Sequence, residues 1–169
     1  MRKFIILTML IFLASCLSPA KSTSCKFIAD TTVVSRVIDG DTICLQNGLY
    51  VRLIGINAPE KDELGSLSAK ERLEQLVLGK EVKLVYESEE HDKYGRELAD
   101  VYVNNTFVNY ELASSGWARI LMIAPNVEHT DKLRAAVDSA KNSSLGIFGN
   151  LSSSDYISTP KNIKPSKQM

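Results

Sequence analysis

The chain has 169 residues, which is enough for one domain with a hydrophobic core. Hydrophobic residues make up 44% of the chain and charged residues 24%, as is ordinary for a soluble globular domain. Basic and acidic residues number 20 each, and without residues 1–15, which hold two of the basic ones, 18 face 20, a net charge of −2. This balance argues against broad nonspecific binding to nucleic acid, because such binding depends on a basic surface, but it leaves room for a local basic site.

The first residues have the pattern of a secretory signal peptide. Arg2 and Lys3 precede an apolar run over residues 4–14, which is too short to span a bilayer. We therefore predict that residues 1–15 are a signal peptide and that the mature protein is exported from the cytosol.

A cysteine follows this run directly. The small residues before Cys16 resemble a bacterial lipobox, in which the cysteine is lipidated and becomes the first residue. Ordinary cleavage after Ala20 is the alternative. We expect lipidation, and hence a cell-envelope lipoprotein that is anchored to a membrane without spanning it. A secreted or periplasmic soluble protein is the other possibility.

Two further cysteines, Cys25 and Cys44, remain in the mature chain. Export allows a disulfide between them, but the sequence does not show whether their geometry fits, so the pairing stays open. Neither cysteine has a histidine at a zinc-binding spacing, and a zinc site is not expected.

The first predicted elements are three strands. A β-branched run predicts a strand over residues 31–38, and turn signals at Asp39-Gly40 and Asn47-Gly48 separate it from strands over 42–46 and 50–56. Together they form an antiparallel meander.

Helices and further strands follow in alternation. Apolar residues at helical spacing predict a helix over 66–78, ended by Gly79, and a last helix over 130–143. The buried face of the last helix is expected to consist of Leu133, Ala136, Val137 and Ala140. The remaining predictions are strands over 81–87, 98–103 and 118–122, a turn at Asn104-Asn105 and a helix over 108–115.

The order of these elements indicates an α+β fold, a β-barrel with helices packed on it. We expect one folded domain over residues 31–149, a tether over 16–30 and a disordered polar tail over 150–169.

Three polar motifs lie at the edges of the predicted strands. They are Asp39-Gly40-Asp41-Thr42, the segment from Arg52 to Glu60, and Asp92-Lys93-Tyr94-Gly95-Arg96. Acids hold a hard cation through oxygen ligands, and arginines bind phosphate bidentately. A metal, two arginines and a spare carboxylate are what hydrolysis of a phosphodiester needs.

These motifs, in this order, resemble the staphylococcal nuclease family, and Gly146-Ile147-Phe148 resembles its closing motif. The resemblance extends from about residue 31 to 149. It implies a five-stranded OB-type barrel with three helices, and calcium-dependent hydrolysis of DNA and RNA that leaves 3′-phosphates. We also expect a monomer that prefers single-stranded substrates.

The resemblance also implies roles for individual residues. Asp41 would bind the metal directly and Asp39 through water, with the backbone carbonyl of Ala58 also facing the ion. Arg52 and Arg96 would be the catalytic arginines, and Glu60 the carboxylate near the attacking water. Lys93 and Tyr94 would contact a terminal phosphate.

Two departures from the family pattern limit this transfer. Asn57 stands where the family commonly has a second metal-binding aspartate; its amide oxygen can bind calcium but lacks the charge. Met122 and Ala124 fall in a stretch where staphylococcal nuclease has tyrosines beside the nucleotide, so contacts to the base are expected to differ.

Two other functions are compatible with parts of the sequence. The first is a catalytically weak or silent OB-type module that binds single-stranded nucleic acid at the cell envelope. The second is a structural envelope lipoprotein, which explains none of the three motifs. The joint presence of Asp41, Arg52, Glu60 and Arg96 favours the enzyme, because a binding module has no need of Glu60.

Overall fold

A computed structural model describes residues 32–151 of the chain. The predicted signal peptide, Cys16, Ala20 and Cys25, the tether and nearly all of the predicted tail lie outside the described residues. Cys44, the other candidate for a disulfide, is buried in a strand. Within residues 32–151, no helix combines the length and the apolar character that crossing a membrane requires.

The centre of the fold is a closed barrel of five strands, with three helices packed on it. The barrel strands are β1 (Thr32–Val37), β2 (Thr42–Leu45), β3 (Tyr50–Leu53), β5 (Glu81–Val85) and β6 (Glu97–Val103). Hydrogen bonding joins them in the order β3-β2-β1-β5-β6, and β3 then pairs with β6 in parallel to close the ring. This confirms the predicted α+β architecture. Three short strands lie outside the ring: β4 (Ile56–Asn57), β7 (Thr106–Phe107) and β8 (Arg119–Ile120).

Strand β1 takes part in two halves of the barrel. Its end pairs with β2 and its start with β5, and the register shifts between Val34 and Arg36. Such an irregularity bends a strand and increases its twist. The predicted meander of β1, β2 and β3 is present and is antiparallel throughout.

The predicted strand over residues 50–56 is wrong in its length, because a turn divides it after Leu53. Gly55 has a φ of +77°, and a Cβ there would lie 2.5 Å from the Cδ1 atom of Leu133. Only glycine fits this conformation and this close approach. The chain therefore leaves the barrel, and the residues that follow form β4, which pairs with β8.

The three helices are α1 (Ser66–Val77), α2 (Val108–Ser114) and α3 (Thr130–Asn142), and a 3₁₀ turn follows at Gly146–Phe148. Helix α2 lies between α3 and β6. The predicted face of α3 is confirmed, because Leu133, Ala136, Val137 and Ala140 are all buried. On α1, Ala69, Leu73 and Val77 are buried as the spacing predicted, and Leu76 lies partly buried beside them.

The turn between β1 and β2 packs closely against two other segments. A Cβ added at Gly40 would lie 2.5 Å from the Cβ atom of Ala58 and 2.9 Å from that of Ala69. Gly40 therefore lets the turn approach both helix α1 and the segment after β4. This packing brings Asp39 and Asp41 next to Asn57 and Ala58.

We expect Gly40→Ala to lower the free energy of unfolding by about 1–3 kcal/mol, as overpacking in a filled site does. Urea denaturation would measure it. The matched control is the double variant Gly40→Ala/Ala58→Gly, which removes the methyl group in closest conflict. It should recover part of the loss, since the conflict with Ala69 remains. Equal stability of the two variants would contradict this packing argument.

Candidate active site

The first part of the site is the turn that follows β1. The N–H of Ile38 donates to the carbonyl of Thr42 at 2.9 Å, and the N–H of Asp41 donates to Oδ1 of Asp39 at 3.1 Å. Asp39 thus stabilises the turn by bonding to the main chain two residues further on, as aspartates in turns commonly do. The result is a fixed orientation for Asp41.

The carboxylate of Asp41 is only 6% exposed. Its Oδ2 accepts the N–H of Ala58 at 2.7 Å, and its Oδ1 accepts the hydroxyl of Thr42 at 3.2 Å. Oδ1 also lies 3.1 Å from Nη1 of Arg52. Burial raises the pKa of Asp41 to about 6, although the positive charge of Arg52 and the bond from Ala58 act in the opposite direction.

Arg52, at the end of β3, points its guanidinium at the segment after that strand. Besides Asp41, it donates to the carbonyls of Leu53 at 2.9 Å and Ile56 at 3.1 Å, and to Oδ1 of Asn57 at 2.9 Å. The planar guanidinium offers several donors in a fixed array, which is why one side chain can make all these contacts. Arg52 is therefore oriented by the protein itself.

The oxygens predicted to bind a metal lie in one connected group. Asp39 bonds to the main chain of Asp41, Asp41 to that of Ala58, and the Nδ2 of Asn57 lies 3.3 Å from the carbonyl of Ala58. Two carboxylates, an amide and a carbonyl are hard oxygen donors of the kind that calcium prefers, so their chemistry fits such an ion. Within residues 32–151, no three His, Cys, Asp or Glu side chains are grouped to hold a metal, so this set depends on its amide and its carbonyl.

The second arginine is held by a separate acidic residue. Arg96 Nε donates to Oδ2 of Asp92 at 2.7 Å, and Oδ1 of Asp92 accepts the main-chain N–H groups of Tyr94 at 2.9 Å and Arg96 at 3.0 Å. Burial would raise the pKa of Asp92, but these bonds outweigh it and lower that pKa below the usual 3.8. The contribution of Asp92 to stability is therefore complete above pH 4 and is lost only as the pH falls through the lower value.

Lys93 and Tyr94 are exposed at the tip of the same turn. The ring of Tyr94 is 73% exposed. The Nζ of Lys93 lies 5.0 Å from the centre of that ring and the guanidinium carbon of Arg96 lies 5.6 Å from it, within the range of cation–π contacts. Both side chains are open to a ligand, as their predicted role requires.

A cleft of about 420 Å³ brings the two arginines together. Arg52 and Arg96 line it with Asp92, Lys93 and Tyr94, so both candidate catalytic arginines and both phosphate-contact candidates share one cavity. The register of the parallel pair explains this, because Arg52 of β3 lies opposite Leu98 of β6, two residues after Arg96. The remaining wall is largely aliphatic: Leu53, Ile54, Ile56, Leu98, Leu121 and Ile123.

Two lining residues, Leu121 and Ile123, were not predicted from the sequence. Met122 and Ala124 fall in the stretch where contacts to a base were expected, but neither lines the cleft. Met122 packs against the core, and its sulfur accepts the hydroxyl of Thr130 at 3.2 Å. Because side chains alternate along an extended segment, residues 121 and 123 share the other face, a pattern that the sequence contains.

Glu60 lies apart from the arginines. Asp39 and Glu60 line a second depression, of about 300 Å³, together with Lys61, Ser66 and Lys70. The main-chain N–H of Glu60 donates to Oε2 of Glu63 at 3.1 Å, and the side chain of Glu60 is exposed. The predicted residues thus fall into two neighbouring groups, one in the cleft with the arginines and one in the depression with Glu60. The buried Asp41 connects them, because it contacts Arg52 of the cleft and the main chain of Ala58, two residues before Glu60.

The protein is thus a closed five-stranded barrel with an arginine-lined cleft beside a group of hard oxygen donors, an arrangement with the chemistry to bind a phosphodiester. The sequence comparisons agree with it. Residues 50–150 match the model of a family described as staphylococcal nuclease homologue. The chain is 32% identical over 139 residues to the thermonuclease of Staphylococcus intermedius, covering 77% of this chain and 83% of that protein.

Other relatives give the same result. The thermonuclease of Staphylococcus hyicus is 30% identical over 129 residues, 71% of this chain and 76% of that one. Endonuclease YncB of Bacillus subtilis is 33% identical over 135 residues, 73% of this chain and 63% of its own. The chain belongs to the staphylococcal nuclease family, and these relatives support a nuclease function.

We expect Asp92→Asn to preserve the turn over residues 92–96 but to release the side chain of Arg96. The amide oxygen of asparagine still accepts the two main-chain N–H groups, whereas a neutral group binds a guanidinium more weakly than a carboxylate does. NMR would report main-chain shifts at Tyr94 and Gly95 close to wild type, with faster motion of the Nε–H group of Arg96.

The control is Asp92→Ala, which should lose both the main-chain shifts and the order of Arg96, at about 1 kcal/mol per hydrogen bond removed. If Arg96 stays as ordered in Asp92→Asn as in the wild type, the carboxylate is not what holds it.

Proposed function

We propose that this protein is a calcium-dependent phosphodiesterase that cleaves DNA and RNA endonucleolytically and leaves 3′-phosphates. The observation that supports this best is the position of Arg52, on β3, and Arg96, directly before β6, which line the same cleft beside the proposed ligand oxygens. The relatives named as thermonucleases and endonucleases support the nuclease activity in this proposal.

The arginines have the chemistry that the reaction requires. Attack on a phosphodiester adds negative charge to the phosphorus centre, and preorganised donors that meet this charge stabilise the transition state. Arg52 and Arg96 are already oriented, by Asp41 and Asp92. A phosphate in the cleft would compete with these carboxylates for the guanidinium donors.

The metal would be held by the carboxylates of Asp39 and Asp41, the amide oxygen of Asn57 and the carbonyl of Ala58. When bound, a divalent cation supplies further positive charge for the phosphate. Arg52 now donates to two of these oxygens, on Asp41 and Asn57. A bound cation would share these ligands with Arg52 and would lessen its attachment to them.

Glu60 is the proposed acceptor of the proton from the attacking water. Glu60 is exposed and lines the depression that Asp39, one of the candidate metal ligands, also lines. Orienting or deprotonating water is a role that a carboxylate fills without any contact to the bases.

Single-stranded substrates suit the rest of the cleft. Tyr94 is 73% exposed and Ile123 64%, and the aliphatic wall continues inward from them. Unpaired bases can stack on such surfaces irrespective of sequence, whereas paired bases cannot reach them. The same surface would serve a catalytically silent binding module, so the decisive experiment measures cleavage and binding separately.

The mature chain should cleave plasmid DNA, single-stranded DNA and RNA with calcium and should stop when a chelator is added. Its products should resist extension by a polymerase until a phosphatase removes the 3′-phosphate. Arg52→Lys and Arg96→Lys should each lower the rate about a hundredfold or more, the scale for removing one preorganised donor, because lysine lacks the planar fork. Glu60→Gln should slow turnover and leave binding of single-stranded DNA intact.

The matched control for the arginines is Arg134→Lys, on the exposed side of α3, which should retain the wild-type rate. If the wild-type chain binds single-stranded DNA but never cuts it with calcium or manganese, the silent binding module is the correct function.

Asn57→Asp should bind calcium more tightly, because it adds a charged oxygen to the ligand group. Calorimetric titration of the metal would measure the change. Asp41→Ala is the opposite control and should remove the binding. Weaker calcium binding by Asn57→Asp would mean that the new carboxylate binds Arg52 rather than the cation.

A further inference from the structure

A second carboxylate is buried away from the candidate active site. Asp100 lies in the middle of β6 and is 1% exposed. Its Oδ1 accepts the Nδ2–H of Asn109 at 3.1 Å. Its Oδ2 makes no hydrogen bond within residues 32–151 and lies 3.3 Å from the Nε2 atom of His129, at the start of α3. A buried carboxylate with so few partners is costly when it carries a charge.

Asn109 connects this carboxylate to the cleft. It is fully buried on α2, and its amide group donates both to Asp100 and to the carbonyl of Ile54, the latter at 2.9 Å. Its Oδ1 accepts the N–H of Val101 at 3.0 Å, which fixes the orientation of the amide. Ile54 begins the turn that ends β3, and Ile54 and Gly55 both line the cleft.

We propose that Asp100 holds a proton beside His129 and that this neutral acid, acting through Asn109, positions the Ile54-Gly55 turn that lines the cleft. In this arrangement Asp100, Asn109 and His129 are positioning residues, since none of them lines the cleft. The effect on the turn does not depend on the chemistry proposed for the cleft.

Burial and the surrounding charges favour the protonated form of Asp100. Burial, followed by the negative charges of Glu87 and Glu128, raises the pKa of Asp100 to about 8, and Lys132 on α3 opposes this. The other titratable neighbours are Tyr102 on the same strand and His129 itself. The side chain of His129 is 29% exposed, so it offers the proton a route between the buried carboxylate and solvent.

Loss of the proton from Asp100 changes the hydrogen bonds that Asn109 makes. An ionised Asp100 accepts a stronger hydrogen bond from the Nδ2 of Asn109 than the neutral acid does. The same amide nitrogen holds the carbonyl of Ile54, so strengthening one bond draws the amide away from the other. The Ile54-Gly55 turn is therefore held less firmly when Asp100 is ionised.

The titration of Asp100 also makes the stability of the fold depend on pH. A carboxyl whose pKa is higher in the folded than in the unfolded state contributes stability that is complete below pH 4. That contribution is lost as the pH rises through about 8, the pKa of the folded state. The amide in Asp100→Asn does not titrate. The variant therefore removes this dependence of unfolding free energy on pH, and its amide oxygen can still accept the bond from Asn109.

The test is a pH titration of the full chain by NMR, read at the main-chain amides of Gly55 and Leu121. The N–H of Leu121 donates to the carbonyl of Gly55 at 3.0 Å, so both amides report on the turn. In the wild type both signals should shift with a midpoint near pH 8. Asp100→Asn should abolish this titration and flatten the dependence of unfolding free energy on pH.

Glu87→Gln provides a graded test that keeps Asp100. Removal of this negative charge should move the midpoint to lower pH, which a purely structural role of Asp100 would not do. Glu81→Gln, at the exposed start of β5, is the control and should leave the midpoint unchanged. A titration that persists in Asp100→Asn, or a midpoint that Glu87→Gln does not move, overturns the proposal. If Asp100→Asn does not fold, the result with Glu87→Gln decides.

Discussion

The buried carboxylate of Asp41 joins three segments of the chain that are distant in sequence. It comes from the turn between β1 and β2, bonds to the main chain of Ala58 after β4, and pairs with Arg52 at the end of β3. Because the carboxylate is nearly inaccessible to water, each of these contacts is strong and the loss of any one is costly. The positions of the arginine, the candidate ligands and the turn therefore depend on one another.

The same pairing of acid with arginine recurs at Arg96. Each of the two arginines of the cleft is oriented by its own aspartate, Asp41 or Asp92, and so neither presents its full charge. The net charge of the chain is also near zero, whereas broad nonspecific binding to nucleic acid depends on an excess of positive charge. The aspartates orient the guanidinium donors, but their negative charge weakens the long-range attraction of the arginines for a phosphate.

Features that depend on local sequence could be predicted. The turns at Asp39-Gly40 and Asn47-Gly48, the antiparallel meander and the buried face of α3 follow from glycine, asparagine and aspartate chemistry and from apolar spacing. The motifs also contained Arg52 and Arg96, which the fold brings into one cleft.

Features that depend on contacts between distant segments could not be predicted. The turn at Gly55 has a positive φ and packs against Leu133, far along the chain, a contact that the local sequence does not indicate. The separation of Glu60 from the arginines and the use of Leu121 and Ile123 in the cleft depend on how β4 and β8 pair. The hydrogen bond between Asp100 and Asn109 joins β6 to α2, and the contact of Asp100 with His129 joins β6 to the start of α3; no local pattern indicates a buried acid.

The parallel pairing of β3 with β6 has a consequence for the time at which the cleft appears during folding. This pair joins residues near position 51 to residues near position 97, whereas β1, β2 and β3 are connected by short turns. Contacts that close a long loop form more slowly than local ones, because the loss of chain entropy precedes their gain. The meander can therefore form first, and the ring closes only when β6 arrives. Since β6 follows directly after Arg96 and lies against Arg52, we expect the two arginines to come together only when the barrel closes.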